Sequence, residues 1–503
     1  MPPTTPDGKF PRVQPAATSR SRPDALFALM VAYLAVPSLI FLLTWVRPLI
    51  GIPAALIVLA AFCRLMLQVK AAASRPPLSR NLLFAIIALA GVWTLIIGVG
   101  GIFPQSNDYL KHNLLFHDLT TMQWPVKYQS SDHGGYLCYG LGYYLVPTAI
   151  GKLLGLAALP FATFLWTFAG LVLFFYWIAT LTPSPGKTLA AVLLFSTTAI
   201  VWSLFKKYGL PGHISPDTLE TALLKNGLYF NYSDSFTRFD YQPQHALAAW
   251  LCAAVFLERL WRQRDPRGLV FVWSACLLWS PLTCLGLLII PLATLGRVRW
   301  QNYFEPINLI GGGVLVAILG IYFQGHMALS ESGFIWKFSN GADWLGYYAL
   351  FLILTLSPLL FLALAEQKYR LLGEGRPLFF IAIVTLIVLP LYKLGFAGDL
   401  RMQASAPALL LLALAADRIL RNGSLSLKRP LWLFLLGSLA LGAIFPLTRP
   451  WTCLLSKRSD FSYDTIVRTT GSQNLSEIHD DKFDLAAQYL GRNNAPAARY
   501  LLR

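Results

Sequence analysis

Charged side chains are scarce in this chain. Asp, Glu, Lys and Arg make up only 13% of its 503 residues, whereas an ordinary soluble domain contains about 25%. Hydrophobic residues account for 56% and are gathered in long blocks. This balance excludes a disordered chain, a coiled coil, a collagen and a disulfide scaffold. A polytopic membrane protein remains.

Cysteine and acidic residues are also few. The six cysteines show neither the spacing of a metal site nor an evident disulfide pair. The chain has 24 acidic residues and 41 Lys and Arg, which gives a net charge of +17. No nucleic-acid motif accompanies this charge. Most basic residues lie in short loops between apolar blocks, so positive-inside topology explains them and no nucleic-acid partner is expected.

Thirteen apolar runs are candidate spans, which predicts an all-α polytopic protein. They are 25–46, 49–67, 81–103, 160–181, 188–205, 244–261, 268–281, 283–296, 306–324, 345–364, 378–394, 405–420 and 430–447. The pair 268–281 and 283–296 is short and broken by Pro281, which is compatible with a bent pair that does not fully cross. The first run is too long for a signal-peptide core, so residues 1–24 are predicted to be a basic cytoplasmic tail.

The apolar segment Tyr136–Gly155 is predicted to be re-entrant or interfacial. If it crossed, every later loop would change sides, and two basic clusters would face outward. These clusters are Arg259, Arg262, Arg264 and Arg267, and Arg418, Arg421, Lys428 and Arg429. If the segment dips in and returns, both clusters face the cytoplasm, as the positive-inside rule requires.

This topology places the long loops outward. The first three spans occupy 25–103, and the transmembrane body occupies 160–447. The outward parts are 104–159, 206–243, 325–344, 395–404 and the tail 448–503, and all seven histidines lie in or near them. A channel or symmetric carrier more often places its polar groups at mid-depth, and no convincing inverted repeat is found.

The first outward loop holds the motif Asn107-Asp108-x-x-Lys111-His112. Ser106 or Asn107 is expected to cap a helix, on which Asp108, Lys111 and His112 share one face. One interpretation is an interfacial helix that presents a functional carboxylate. The other is an acidic residue favoured by the helix dipole, with Lys111 as its surface partner.

The second outward loop is rich in cations and ends at the mouth of a span. Lys206, Lys207 and Arg238 are candidate phosphate contacts, although the lysines could equally reach lipid head groups. Gln244 and His245 lie where the next span begins. A histidine there could bind a substrate, shuttle a proton or cap polar groups.

The loop before the twelfth candidate span contains Gly398-Asp399-Leu-Arg401. Charged residues at such a position are costly unless they pair or meet a ligand, and Arg suits bidentate phosphate binding. The alternative is a structural ion pair of Asp399 with Arg401 or Lys393.

Taken together, this pattern resembles the GT-C superfamily of integral-membrane glycosyltransferases. An acidic residue, Asp108, follows an early span; the aromatic segment Tyr136–Gly155 follows it; and a many-helix body ends in an outward piece, 448–503. Pro243-Gln244-His245-Ala246 and Gly398-Asp399-Leu-Arg401-Met402 also look like motifs of bacterial membrane proteins of this type. The chain departs from many members in carrying a single Asn-Asp instead of paired acids, so a divalent metal, although compatible with the resemblance, has no support in the sequence.

The resemblance implies a function and a place in the cell. The donor would be a polyprenyl-phosphate sugar, and the acceptor a hydroxyl of a glycan, lipid or protein on the extracytoplasmic face of a bacterial inner membrane. Asp108 would be the general base, with His112 orienting it or the acceptor. The expected substrate-binding residues are Lys111, Lys206, Lys207, Arg238, Gln244, His245, Asp399 and Arg401.

Two other functions fit the same sequence. A transporter or flippase of lipid-linked glycans would bind phosphate in a basic outward cavity without needing a base. A non-catalytic subunit of an envelope-assembly complex would pair its outward polar residues with a partner.

Overall fold

Helices make up most of the molecule. The computed structural model describes residues 24–69, 78–129, 134–197, 222–224, 228–230, 232–327, 332–338, 343–395, 398–423, 430–455, 462–477 and 486–503. The helices are α1 (Ala25–Thr44), α2 (Pro48–Gln68), α3 (Arg80–Ile96), α4 (Tyr109–Thr121), α5 (Leu145–Leu154), α6 (Leu159–Ala179), α7 (Pro185–Leu194), α8 (Ser235–Tyr241), α9 (Pro243–Phe256), α10 (Leu269–Leu277), α11 (Pro281–Leu287), α12 (Ile289–Thr294), α13 (Gly313–Gln324), α14 (Asp343–Thr355), α15 (Ser357–Tyr369), α16 (Arg376–Val388), α17 (Asp399–Asn422), α18 (Pro430–Leu455) and α19 (Tyr463–Thr470). The strands are β1 (Lys127–Tyr128), β2 (Gly135–Leu137), β3 (Ala222–Leu224), β4 (Leu228–Phe230), β5 (Ser332–Phe334), β6 (Tyr392–Leu394) and β7 (Leu490–Arg492). The predicted helical membrane architecture is confirmed in this coarse form.

Seven helical segments of the described residues are long and apolar enough to cross a membrane. They are Ala25–Thr44, Pro48–Gln68, Leu156–Ala179, Ile307–Gln324, Gly373–Leu391, Asp399–Asn422 and Pro430–Leu455. The bent pair Trp344–Ile353 and Ser357–Tyr369 would make an eighth. Large apolar side chains stand exposed on these helices, such as Leu49 at 93% and Leu56 at 62%. Such surfaces are those of an integral membrane protein, whose lipid-facing side chains need no protein partner.

Several predicted spans differ from the helices observed. The run 81–103 forms a helix only to Ile96, because Gly98, Gly100 and Gly101 adopt φ values of 76°, 80° and 72° that end helical geometry. The run 188–205 is helical to Leu194, and its part beyond 197 lies outside the described residues. The last span extends past the predicted 447, to Leu455.

Hydrogen bonds and strand pairs gather the predicted outward loops on one side, here called the site face. β2 pairs with β7, and β5 pairs with β6. Ser106 Oγ donates to the Asp240 carbonyl oxygen at 2.7 Å, and Asp118 accepts from the Leu475 amide at 2.9 Å. The first outward loop therefore contacts both the second loop and the tail.

Ion pairs join the predicted cytoplasmic loops on the other side, here called the opposite face. Arg64 pairs with Glu305 at 2.9 Å, and Arg297 pairs with Glu374 at 3.2 Å. Asn422 Nδ2 donates to the Leu371 carbonyl oxygen at 3.1 Å. Each of these contacts joins loops that the charge pattern assigns to the same side.

The segment after β2 enters from the site face and returns to it. Gly135 pairs with Arg492 at its start, and Lys152 Nζ donates to the Met122 carbonyl oxygen at 2.6 Å near its end. Between these points, the Gly142 amide donates to the Leu278 carbonyl oxygen at 2.8 Å. This path favours the re-entrant interpretation.

The short pair 268–281 and 283–296 is bent where the re-entrant segment meets it. α10 ends at Leu277 and α11 begins at Pro281. Trp273 Nε1 donates to the Cys284 carbonyl oxygen at 2.8 Å, so the two helices fold back on each other. A Cβ on Gly140 would lie 2.4 Å from the Trp279 carbonyl oxygen, so only glycine permits this close approach.

Candidate active site

The carboxylate of Asp108 lies at the start of α4, on the site face. It pairs with Lys111 Nζ at 2.9 Å, and the two side chains are 26% and 20% exposed. The predicted cap by Ser106 or Asn107 is wrong, because Asp108 occupies the cap position and the Ser106 hydroxyl is used to bind the Asp240 carbonyl oxygen. The predicted i, i+3 pairing of Asp108 with Lys111 is confirmed.

Lys111 holds its charge because of this pairing. Burial by itself lowers the pKa of Lys111, but the charge and hydrogen bond of Asp108 outweigh burial and raise the pKa above its ordinary value. Asp399, from a distant loop, adds to the same effect. The ammonium group is therefore paired with Asp108 and is within electrostatic range of a second carboxylate, Asp399.

His112 points away from solvent and is held at both ring nitrogens. Nδ1 lies 2.7 Å from the Tyr144 hydroxyl, and Nε2 lies 2.9 Å from the Tyr241 carbonyl oxygen. Burial lowers the pKa of His112, which favours the neutral ring. A carbonyl can only accept, so Nε2 carries the proton and Tyr144 donates to Nδ1. This arrangement suits an orienting role.

Gln244 and His245 begin α9 and are 1% and 3% exposed. Gln244 Nε2 donates to the Tyr139 hydroxyl at 3.2 Å, and the ring centroids of Tyr139 and His245 are 6.4 Å apart. Among the described residues, Gln244 Oε1 and His245 Nδ1 have no hydrogen-bond partner. Because a buried polar atom without a partner is costly, both atoms are available to bind water or a ligand.

Asp399 and Arg401 occupy the first turn of α17. Gly395 and Gly398 precede them with φ values of 79° and 78°, and a Cβ on Gly395 would lie 2.1 Å from Asp399 Oδ2. Arg401 is 5% exposed and interacts electrostatically with Asp399 and Tyr232. The Asp399 carboxylate thus packs against Gly395 and the Arg401 guanidinium against Gly398, where larger residues would crowd them.

Tyr489 is a member of the site that sequence reasoning missed. It is 4% exposed, and its ring centroid lies 4.6 Å from that of Tyr139. Burial and the charges of Asp108 and Asp399 raise the pKa of Tyr489. Nothing in the polar tail marks this tyrosine, because its position depends on the pairing of β7 with β2.

The remaining predicted cations are placed differently. Arg238 is 5% exposed and donates to the Met402 and Ser233 carbonyl oxygens and to Ser405 Oγ, so it ties α8 to α17. Its charge still acts on His245. Lys206 and Lys207 lie outside the described residues.

The assembled groups offer a partly exposed carboxylate, Asp108, that can accept a proton, and two cations, Lys111 and Arg401, that can bind an anion. Within the described ranges, no group of three or more His, Cys, Asp or Glu side chains is arranged to hold a metal ion. No protein-family model matches the chain, and no curated protein and no solved structure matches it.

Proposed function

We propose that the protein is a membrane glycosyltransferase of the GT-C type. It transfers a sugar from a polyprenyl-phosphate donor to an acceptor hydroxyl, with Asp108 as general base. The site face is then extracytoplasmic, the N-terminus is cytoplasmic, and the membrane is a bacterial inner membrane.

The convergence of Asp108, Lys111, Asp399 and Arg401 supports this proposal. Lys111 pairs with Asp108 and interacts with Asp399, which in turn neighbours Arg401. These residues come from two loops that are far apart in sequence. A transferase that acts on a lipid phosphate needs both a proton acceptor and cations at one end of its helices.

The chemistry is a single displacement. The acceptor oxygen attacks the anomeric carbon and forms the new glycosidic bond, and its proton passes to Asp108. The bond from the anomeric carbon to the phosphate oxygen breaks, and the electron pair leaves with the polyprenyl phosphate. Arg401 stabilises the charge of this leaving group, and Lys111 orients the Asp108 carboxylate through their ion pair. The configuration inverts because no covalent intermediate forms.

The test is a membrane assay with a panel of polyprenyl-phosphate sugars. Asp108→Asn keeps the size of the side chain but removes proton acceptance, so transfer should fall by about 10²–10⁴-fold. Asp464→Asn is the matched control, because Asp464 is exposed in the tail and outside the site. Full activity in Asp108→Asn would contradict the assigned base and move it to His245 or Asp399.

A transporter of lipid-linked glycan is the second candidate, because the helix pair broken at Leu278–Ser280 is typical of transport proteins. The polar groups at this break are already satisfied, however. Ser280 Oγ bonds to Thr283 Oγ1 at 2.6 Å and to Gln403 Oε1 at 3.2 Å. If no donor sugar is turned over by the unaltered protein but lipid-linked glycan is moved across vesicles, transport replaces transfer.

A further inference from the structure

A small sheet on the site face presents aromatic rings to its surroundings. Along β5 and the turn that follows, Gly333 and Ile335 are buried, whereas Phe334 and Trp336 are 44% and 45% exposed. Tyr392 on the paired strand β6 is 36% exposed. The alternation of side chains along the strand therefore points the aromatic rings outward.

These rings form one continuous surface, here called the aromatic anchor (Phe334, Trp336, Trp344 and Tyr392). Phe334 and Trp336 stack with centroids 4.4 Å apart and planes 4° from parallel. Tyr392 meets Phe334 edge-on at 5.2 Å, and Trp344 lies 5.7 Å from Trp336. Such mutual contacts hold the rings in place without burying them.

The position of the anchor along the chain sets its depth. β6 begins at Tyr392, directly after the candidate span Gly373–Leu391, and Trp344 opens the bent pair that would be another span. Tyr392 and Trp344 therefore lie within a residue or two of the ends of apolar helices. Strand pairing and ring contacts hold Phe334 and Trp336 beside them. Trp and Tyr are enriched at this level, where the ring is apolar and its polar atom meets water.

We propose that the aromatic anchor binds the phospholipid head-group layer on the site face and thereby fixes the depth of the α17 turn. The exposed Lys337 beside Trp336 suits the lipid phosphates. β6 continues into Gly395, whose backbone touches the carboxylate of Asp399. A sheet held at the level of the head groups therefore also sets the depth of Asp399 and Arg401. This inference does not depend on the proposed transferase activity.

Collision accessibility of a nitroxide label tests the anchor in phosphatidylcholine nanodiscs. The label is placed at Trp336→Cys, with the exposed native Cys63 replaced by Ser. Asn494→Cys is the water reference because it is exposed in the tail. Leu56→Cys is the lipid reference because it is 62% exposed within α2. The ratio of oxygen collisions to water-soluble nickel-chelate collisions at 336 should exceed the Asn494 ratio several-fold and lie between the two references.

Two results would overturn the proposal. A ratio at 336 equal to that of Asn494 means that the rings face water. Low collision rates with both reagents mean that protein covers them. If Trp336→Cys fails to fold, the label goes to Leu345→Cys, which is 55% exposed at the start of α14 beside the anchor. The collision ratio at 345 is then compared with the ratios at the same two reference positions.

Discussion

The carboxylate of Asp118 fastens the C-terminal segment to α4, and its removal should release that segment. Asp118 is 1% exposed and accepts hydrogen bonds from the Tyr128 hydroxyl at 2.8 Å and from the Leu475 amide at 2.9 Å. Next to it, the rings of His117 and Tyr463 stack with centroids 3.6 Å apart. Asp118→Ala removes both hydrogen bonds and the 3.6 Å contact of Asp118 Oδ1 with His117 Nδ1, and it leaves both rings of the stack in the chain.

The expected cost follows from these contacts. Only the hydrogen bond to the Leu475 amide joins Asp118 to the C-terminal segment, because Tyr128 belongs to the same loop as Asp118. A hydrogen bond to a charged group contributes about 1.5–3 kcal/mol. Opening of the segment 462–477 should therefore become about 10- to 100-fold more frequent.

Hydrogen exchange measured by mass spectrometry in detergent tests this prediction. Amides of 462–477 should exchange much faster in Asp118→Ala, while those of α1 and α9 stay protected. Asp464→Ala is the control, because it removes an exposed carboxylate from the same segment. Unchanged exchange at 462–477 in Asp118→Ala would refute the fastening role.

Three further predictions concern the site and the topology. Arg401→Lys should lose about 1–3 kcal/mol of donor binding, because Lys cannot reproduce the bidentate fork; unchanged donor affinity with a lower melting temperature would instead support a structural ion pair. Burial lowers the pKa of His112 below 6.5, so the unfolded chain binds a proton that the folded chain does not as the pH falls. Stability should decrease from about pH 6.5 downward, and His112→Gln should flatten this slope in thermal unfolding. Cysteines introduced at 134 and 157 should be labelled from the same side of the membrane; labelling from opposite sides would show that the segment between them crosses.

Membrane integration could be predicted from the sequence because hydropathy is a property of consecutive residues. Long apolar runs predict spans such as Ala25–Thr44 and Pro48–Gln68 directly, and both are observed. Loop charge is equally local, and it predicts which loops share a side. The ends of the helices were harder to predict, because glycines such as Gly98 end α3 through a backbone conformation that does not depend on hydropathy.

The site could be predicted only in part, for the same reason. The motif around Asp108 and Lys111 spans one helical turn, so their pairing follows from i, i+3 spacing alone. The role of Arg238 as a tie to Met402 and Ser405 does not follow from its neighbours in sequence, because its partners belong to α17. A buried arginine and a ligand-binding arginine look identical until the packing around them is known.

The amino-acid sequence by itself determined the long apolar helices of an integral membrane protein, and the charges of its loops predict how those loops divide between two sides. Only the tertiary structure decided which polar groups meet. The pairing of β2 with β7 brings Tyr489 onto Tyr139, and the α17 turn brings Asp399 towards Lys111. Apolar length and loop charge act through solvent transfer, which each segment feels separately. Contacts between distant segments depend on how all the helices pack, and no single segment encodes that arrangement.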